Sequence, residues 1–530
     1  MKKYTFFFVL LSFAILSEAG AQPREAPATL QWGKEYREPG NSFLSKVISA
    51  GKNQVYALRE KRETAFASNS KVYLEQYDAE LKLERSREID LKYNGKERDL
   101  EEFMMLGREL YLLTSFNNQA HKKNYLFVQP IDRKRLAPSR DLQMIAETEA
   151  SNRYAEGTFD FHISRDSSKL LIYNQLPYKR KDPERFALRV FDDRFQPLWS
   201  RDLSLPYSDE MFSVEEYRVD NAGNVYLLGV LYEDLSQQRR RGKPTYQYIV
   251  LAYTGGGAEV QEYRIDLDDK FITDLTFRVA DGGDLVCSGF YSERGTYSIK
   301  GTYFFRLNPQ TREVYNKSLR QFDFDFITED LSEKGKEKAM QAELEDIDRR
   351  KPELYDYDLR ELVLRSDGGA LMVAEQYYIY ERTYYHFDGT WRTTYYYNYN
   401  DIIIVNIRPN GEIEWASRIP KRQLTIDDGG YFSSYAMAIV RDRIFFVYND
   451  NGRNFDGRGP DRLYNYNGKN SVITLSEVRI DGSVSTYPMY SNREAEIITR
   501  PKICQQTASR QMLIYGENGR RYKFAHLQFL

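Results

Sequence analysis

Cysteine and histidine are scarce in this 530-residue chain, which has two of the first and four of the second. Cys287 and Cys504 both fall in apolar, strand-like runs (Leu285-Val286-Cys287-Ser288-Gly289 and Lys502-Ile503-Cys504). Two separate buried thiols are favoured over one bridge, because a free thiol packs as a small hydrophobe. Staples are therefore too few to hold the fold, and a core must do it. His121, His162, His386 and His526 are scattered, which speaks against a metal-ligand set and favours structural or surface roles. Neither charge sign dominates: 76 Lys and Arg stand against 78 Asp and Glu, a net charge of −2. Nucleic-acid binding, which needs a large positive field to displace counterions, is not expected. Beyond the first 21 residues no apolar run approaches the roughly 18 residues of a spanning helix. Gly-x-Ser-x-Gly, P-loop and His-Glu-x-x-His patterns are missing, so no catalytic residue is named and no cofactor is expected.

What is present begins with an export-like leader. Met1-Lys2-Lys3 gives a positive start, Thr5 to Leu16 is apolar, and Ala19-Gly20-Ala21 fits a small-x-small cleavage pattern. Residues 1–21 are expected to be a signal peptide, 22–29 a linker, and 30–530 the folded body. No cysteine adjoins the cleavage site, so no lipid-attachment box is seen. The expected location is the periplasm or the cell exterior, soluble or peripherally associated with the outer membrane. With 29% charged and 41% apolar residues, the chain is globular.

One pattern recurs along that body: an alternating strand, an Asp/Asn/Gly turn, an almost wholly apolar strand, a variable loop and two further strands. The clearest copy starts at Phe212, with the turn Asp220-Asn221-Ala222-Gly223-Asn224 and the second strand Val225-Tyr226-Leu227-Leu228. Similar units begin near Phe43, Leu100, Phe159, Ile272, Asp358, Phe432 and Ile497. Second strands as apolar as Leu110-Tyr111-Leu112-Leu113 or Ile444-Phe445-Phe446-Val447 suit positions covered on both faces. A four-stranded sheet cannot bury both its faces alone, whereas a ring of such sheets buries each between two neighbours. The expected fold is all-β, an eight-bladed β-propeller, with seven blades as the alternative because the second unit is short.

Closure has its own signal. The last unit holds only three strands, while Leu30-Gln31-Trp32 resembles Leu198-Trp199-Ser200 and Glu414-Trp415-Ala416, which end the third and sixth units. Three of the four Trp fall at one repeat position, and the N-terminal strand is expected to complete the last blade. Two insertions interrupt the rhythm. In 327–355, Thr328 or Ser332 is placed to cap a helix whose narrow apolar stripe is Met340, Leu344 and Ile347, ended by Pro352. It suits a surface helix packed on one rim, with partner docking as the alternative.

The second insertion is a Tyr-rich hairpin, 377–399, with Asp388-Gly389 at its tip. Pairing Phe387 with Thr390 predicts one face carrying Tyr378, Tyr380, Tyr384, Tyr395, Tyr397 and Tyr399 around Arg382. Such a face either stiffens the hairpin through aromatic and cation–π pairs or binds a partner protein or glycan. Asn449, Asn451 and Asp456 crowd oxygen ligands into a loop as a Ca²⁺ site does, but no bidentate Glu follows at the expected spacing. Asx turns account for the same residues, and calcium is not preferred. The basic runs Arg239-Arg240-Arg241-Gly242-Lys243 and Lys179-Arg180-Lys181 are read as solvated loop tips.

The repeat resembles the broad family of secreted bacterial β-propellers. Gly411-Glu412-Ile413-Glu414-Trp415 also resembles the Gly-x-x-x-Trp core of the tryptophan-docking repeats in eight-bladed quinoprotein-type propellers. Some members of that family are dehydrogenases carrying pyrroloquinoline quinone, and others are non-catalytic scaffolds for outer-membrane assembly. The third unit has Phe195 where the motif has Gly, and the adjacent cysteine pair of the quinone enzymes is missing. The resemblance thus implies an architecture and transfers no active site. The functional expectation is an exported, non-enzymatic propeller that binds an envelope protein or complex. A glycan-binding or polysaccharide-degrading propeller is the alternative, and a quinone-dependent oxidoreductase a minor one.

Overall fold

The computed structural model describes residues 26–530 except 41, 50–53, 62–70, 151–156, 177–181, 209, 234–238, 241–242, 269, 296–297, 330, 346–350, 386–389, 457–462 and 469–470. The leader and the Lys179–Lys181 run lie outside the described residues. So do the side chains of Arg239 and Arg240.

Eight antiparallel sheets of four or more strands follow one another among the described residues. The first comprises Ser42–Ser49, Val55–Lys61, Lys71–Tyr77 and Leu83–Asp90, and the second Asp99–Leu106, Glu109–Asn118, Lys123–Asp132 and Gln143–Glu149. The third to fifth start with Phe159–Ile163, Phe212–Val219 and Phe271–Val279. The sixth starts with Tyr357–Leu364 and continues into the long pair Ala370–Tyr385 and Trp391–Ile407. The seventh starts with Tyr435–Val440. In the last sheet the first strand is split into Ile498–Thr499 and Gln505–Ala508, both paired with Gln511–Asn518. The next strand, Arg521–Phe529, pairs with Ala28–Trp32 at the sheet's edge in the register Ala28↔Phe529 to Trp32↔Ala525. A further pairing joins Tyr36 to Tyr522.

Each hydrophobic cluster of the core joins two consecutive sheets. Leu228 and Val250 of the fourth sheet meet Phe277 and Cys287 of the fifth, and Phe445 of the seventh meets Met512 and Phe529 of the last. Leu44, Ala57 and Tyr77 of the first sheet meet Leu513, Tyr515 and Phe524 of the last. The apolar second strands are thus covered on both faces, which is why they lack strand alternation. Sheets stacked face to face in chain order make this an all-β propeller fold. Cys287 and Cys504 are separate, buried and free, as expected.

The tryptophans of the third and sixth sheets reach forward to the following sheet. Trp199 donates its indole N–H to the Gly223 carbonyl at 2.8 Å, and Trp415 donates to that of Ile480 at 2.8 Å. A Cβ on Gly257 would sit 2.7 Å from the Trp199 ring, and one on Gly482 2.9 Å from that of Trp415. Gly411 has φ +89°, and Phe195, at the matching position, has φ +58°. The left-handed turn therefore survives where its glycine does not. Trp32 behaves differently, packing edge-on against Tyr490 of the seventh sheet.

In five sheets the first strand carries a β-bulge at one repeat position, where Ser45, Glu101, Glu215, Thr273 and Arg360 are the extra residues skipped in the register with the second strand. The residue after each bulge is charged: Lys46, Glu102, Glu216, Asp274 and Glu361. A bulge re-aims the side chains beside it, and here it does so on strands that approach one another between adjacent sheets.

The helical insertion is two helices, α1 (Phe324–Thr328) and α2 (Glu333–Leu344), and Ser332 caps α2 by accepting from the Gly335 N–H. The expected apolar stripe is corrected. Met340 and Leu344 are 53% and 82% exposed, whereas Ala339 and Ala342 are buried. The buried positions of α2 are thus taken by two small side chains. Ile347 lies outside the described residues.

Candidate functional site

The hairpin pairs Tyr385 with Trp391, Tyr380 with Tyr396, Tyr378 with Asn398 and Tyr377 with Tyr399. This is one residue away from the expected register, in which Tyr380 faces Tyr397; the expected Asp388-Gly389 tip lies outside the described residues. The slip sends alternate residues to the other face. The single predicted face is thereby corrected to two: Tyr378, Tyr380, Arg382 and Tyr384 share one, while Tyr395, Tyr397 and Tyr399 lie on the opposite one. The cation–π cluster forms with a different member. Tyr380 stacks on Tyr396 at 4.5 Å and 3° between planes, and the Arg382 guanidinium lies 5.7 and 5.5 Å from those two rings.

The hairpin has a third strand, Gln423–Ile426, paired with Tyr396 to Tyr399. Its base is anchored in the body by Lys421, which is wholly buried and donates to Glu375 Oε1 at 2.9 Å and to the Tyr399 carbonyl at 2.8 Å. Burial lowers the Lys421 pKa against the pull of Glu375. Lys502 donates to the Tyr399 hydroxyl at 2.9 Å. Beyond this anchor the apolar surface is exposed: Tyr384 46%, Tyr385 63% and Trp391 71%.

The calcium candidates are engaged in loop structure. Asn449 is buried and donates to the carbonyls of Phe432 and Thr499, and the Asn451 side-chain oxygen accepts from the Arg453 N–H. Asp456 is exposed. Among the described residues no three His, Cys, Asp or Glu side chains gather as a metal would need. Of the histidines, His121 is on the surface, His526 faces the Ala79 carbonyl at 2.9 Å, and His386 lies outside the described residues.

A second constellation, not anticipated as a group, gathers where the first strands of the third to sixth sheets converge. His162 Nε2 lies 2.6 Å from Arg218 Nη1. The Arg218 and Arg278 guanidiniums share the carboxylate of Glu216, and Arg278 also donates to the Phe277 carbonyl at 2.7 Å. Glu216 Oε2 accepts from the Thr276 hydroxyl at 2.9 Å. Burial first, then the two arginines, pushes the His162 pKa down to about 3, so its ring is neutral. Burial and the proximity of Arg218 lower that of Arg278, and burial raises that of Glu361 against the pull of both arginines. One layer along, Asp274 accepts from the Leu359 N–H of the sixth sheet at 3.2 Å, and burial raises its pKa to about 6. A cavity of about 740 Å³ opens on this group, with Leu362, Val363 and Leu364 along one wall. Arg165 and Asp281, from the turns of the third and fifth sheets, pair at 3.2 Å beside it.

No protein-family model and no curated protein matches the chain. Among solved structures it is similar to the propeller domain of the Trilobed protease from Pyrococcus furiosus (11% identity, 86% of this chain and 97% of that one, TM-score 0.35). It is also similar to the WD40 domain of SCAP from fission yeast (9%, 95% of each chain, 0.38) and to the Dos1 propeller (9%, 94% of each, 0.41).

Proposed function

We propose that the eight sheets are the blades of one closed ring, completed by the N-terminal strand. On this reading the protein is exported, belongs with the secreted bacterial propellers, and acts without catalysis as a protein-binding scaffold or accessory subunit in the cell envelope. The Tyr-rich hairpin engages the partner. The observation that carries this reading is the hairpin's division of labour: a base fixed by the buried Lys421–Glu375 pair and a distal end with Tyr384, Tyr385 and Trp391 turned to solvent. Rigid aromatic side chains offer large contact area at low entropic cost, which is how binding hot spots are built. The pairing of Ala28–Trp32 with Arg521–Phe529 and the cluster between the first and last sheets support the closed ring.

The test is cross-linking in envelope extract, followed by reconstitution with the purified candidate, for the intact protein and for a hairpin shortened between residues 380 and 395. That cut leaves Tyr396 to Tyr399 paired with Gln423–Ile426 and the Lys421 anchor intact. Loss of one defined partner on shortening is expected. The same partners with both proteins would refute the reading, and retention on a glycan array without any protein partner would favour the glycan-binding alternative.

A further inference from the structure

We propose that the cavity at the convergence of the third to sixth sheets is a binding site for a small organic carboxylate, independent of the hairpin. Its carboxylate would pair with Arg278 and its apolar body would lie on Leu362, Val363 and Leu364.

The charge arrangement carries the assignment. Arg165, Arg218 and Arg278 line the cavity together with Asp220 and Asp281. Asp220 is turned into its own loop, where it accepts from the N–H groups of Ala222 (2.9 Å) and Asn224 (2.8 Å) and from the Asn224 side-chain amide (2.8 Å). Asp281 is held by Arg165 at 3.2 Å. Glu216 is taken up by Arg218, Arg278 and the Thr276 hydroxyl, and Glu361 does not line the cavity, so the faces left for a ligand are cationic. Arg218 is fully engaged, by Glu216 on one edge and His162 on the other. Arg278 differs: only its Nη1 is bonded, to Glu216, Thr276 and the Phe277 carbonyl, which leaves Nε and Nη2 without a partner among the described residues. A guanidinium edge offering Nε and Nη2 is the fork that grips a carboxylate in two parallel bonds.

The neutral His162 adds no competing charge, and it accepts from Arg218 and so fixes the wall behind the fork. The aliphatic run of the sixth sheet lies across the cavity and would shield an apolar body. A carboxylate with such a body satisfies both walls, whereas a bare inorganic anion satisfies one. Pockets that combine an apolar lining with a few convergent polar groups are the usual small-molecule sites.

Isothermal titration of the purified full chain with benzoate, benzamide and inorganic phosphate tests the assignment. Saturable binding of benzoate, with benzamide and phosphate each at least about tenfold weaker (~1.4 kcal/mol), is expected. Arg278→Gln should weaken benzoate by at least about tenfold, and Arg278→Lys, which keeps the charge but loses the fork, should fall between. Should Arg278→Gln fail to fold, Arg165→Gln at the exposed mouth serves instead. It frees Asp281 to repel the anion and should weaken benzoate severalfold. Equal binding of benzoate and benzamide, equal binding of phosphate, no saturable heat, or wild-type affinity in the arginine variants would each overturn the proposal. Loss of the hairpin's partner would leave these outcomes unchanged, so the two readings fail separately.

Discussion

Replacing Arg59 by Met should destabilise the protein at the junction of its first and last sheets. Arg59 is wholly buried on the second strand of the first sheet, with Nε 2.9 Å from Glu75 Oε2. Its guanidinium stacks 3.8 Å from the centre of the Tyr522 ring, on the last sheet. Tyr77 donates to Glu75 at 2.6 Å and lies 2.9 Å from the Tyr522 hydroxyl, so one network crosses the junction. Removing the cation strands Glu75, and breaks the 4.0 Å contact between Arg59 Nη1 and Glu38. Breaking one side of a buried ion pair costs about 3–5 kcal/mol.

The double variant Arg59→Met/Glu75→Gln removes the stranded charge and should recover at least ~2 kcal/mol of that loss. Calorimetry of the wild type, both singles and the double gives the order, with Arg59→Met lowest. Hydrogen exchange adds the location. Amides of Ala28–Trp32 and Arg521–Phe529 should exchange faster in Arg59→Met, while those of the fourth and fifth sheets keep their rates. A double variant no more stable than Arg59→Met, or accelerated exchange confined to other sheets, would refute the reasoning.

Three other outcomes are expected. Gly411→Ala, at φ +89° with its new Cβ 2.4 Å from the Asn316 carbonyl oxygen, should cost about 1–3 kcal/mol in denaturant unfolding. Trp415→Phe, which loses the N–H to the Ile480 carbonyl, should cost about 0.5–1.5 kcal/mol and lower the thermal midpoint. His162 should make acid destabilising. Its folded pKa of about 3 lies below the unfolded value, so below pH ~6.5 the unfolded chain takes up a proton that the folded chain refuses, at about 1.4 kcal/mol per pH unit. Asp274, raised to about 6, acts in the opposite sense between pH 6 and 4, so the check is the difference between wild type and His162→Gln, which should lose about 2 kcal/mol less on going from pH 7 to pH 5.

The second strands were legible because burial on both faces writes itself as an unbroken apolar run, and neither Val225 to Val230 nor Ala370 to Ala374 leaves a side for solvent. Pairing of the N-terminal strand with the last sheet was legible from a shared Trp and a missing strand. The hairpin register was not, since alternating Tyr residues on both strands, such as Tyr378, Tyr380, Tyr395 and Tyr397, suit either of two registers one residue apart. The helix face failed for a related reason. Pattern rewards large apolar residues, whereas the buried positions of α2 are Ala339 and Ala342.

The convergent charges were hidden by the bulges. A strand that alternates strictly tells which residues share a face, but an extra residue at Glu215, Thr273 or Arg360 inverts that assignment halfway along. Aligning the units on the bulge instead of on the turn would have brought Lys46, Glu102, Glu216, Asp274 and Glu361 into one column. Across adjacent sheets these charges are answered locally in two places: Lys46 by Glu102, and Asp274 by the Leu359 N–H. Glu216 and Glu361 are answered differently, because Arg218 and Arg278 draw on the single carboxylate of Glu216 while Glu361 is pushed toward its neutral form by burial. Gathering two half-buried guanidiniums on one carboxylate carries a desolvation cost that aliphatic residues there would not. That asymmetry, on strands otherwise committed to packing, marks this stretch of the convergence as the part shaped for a ligand.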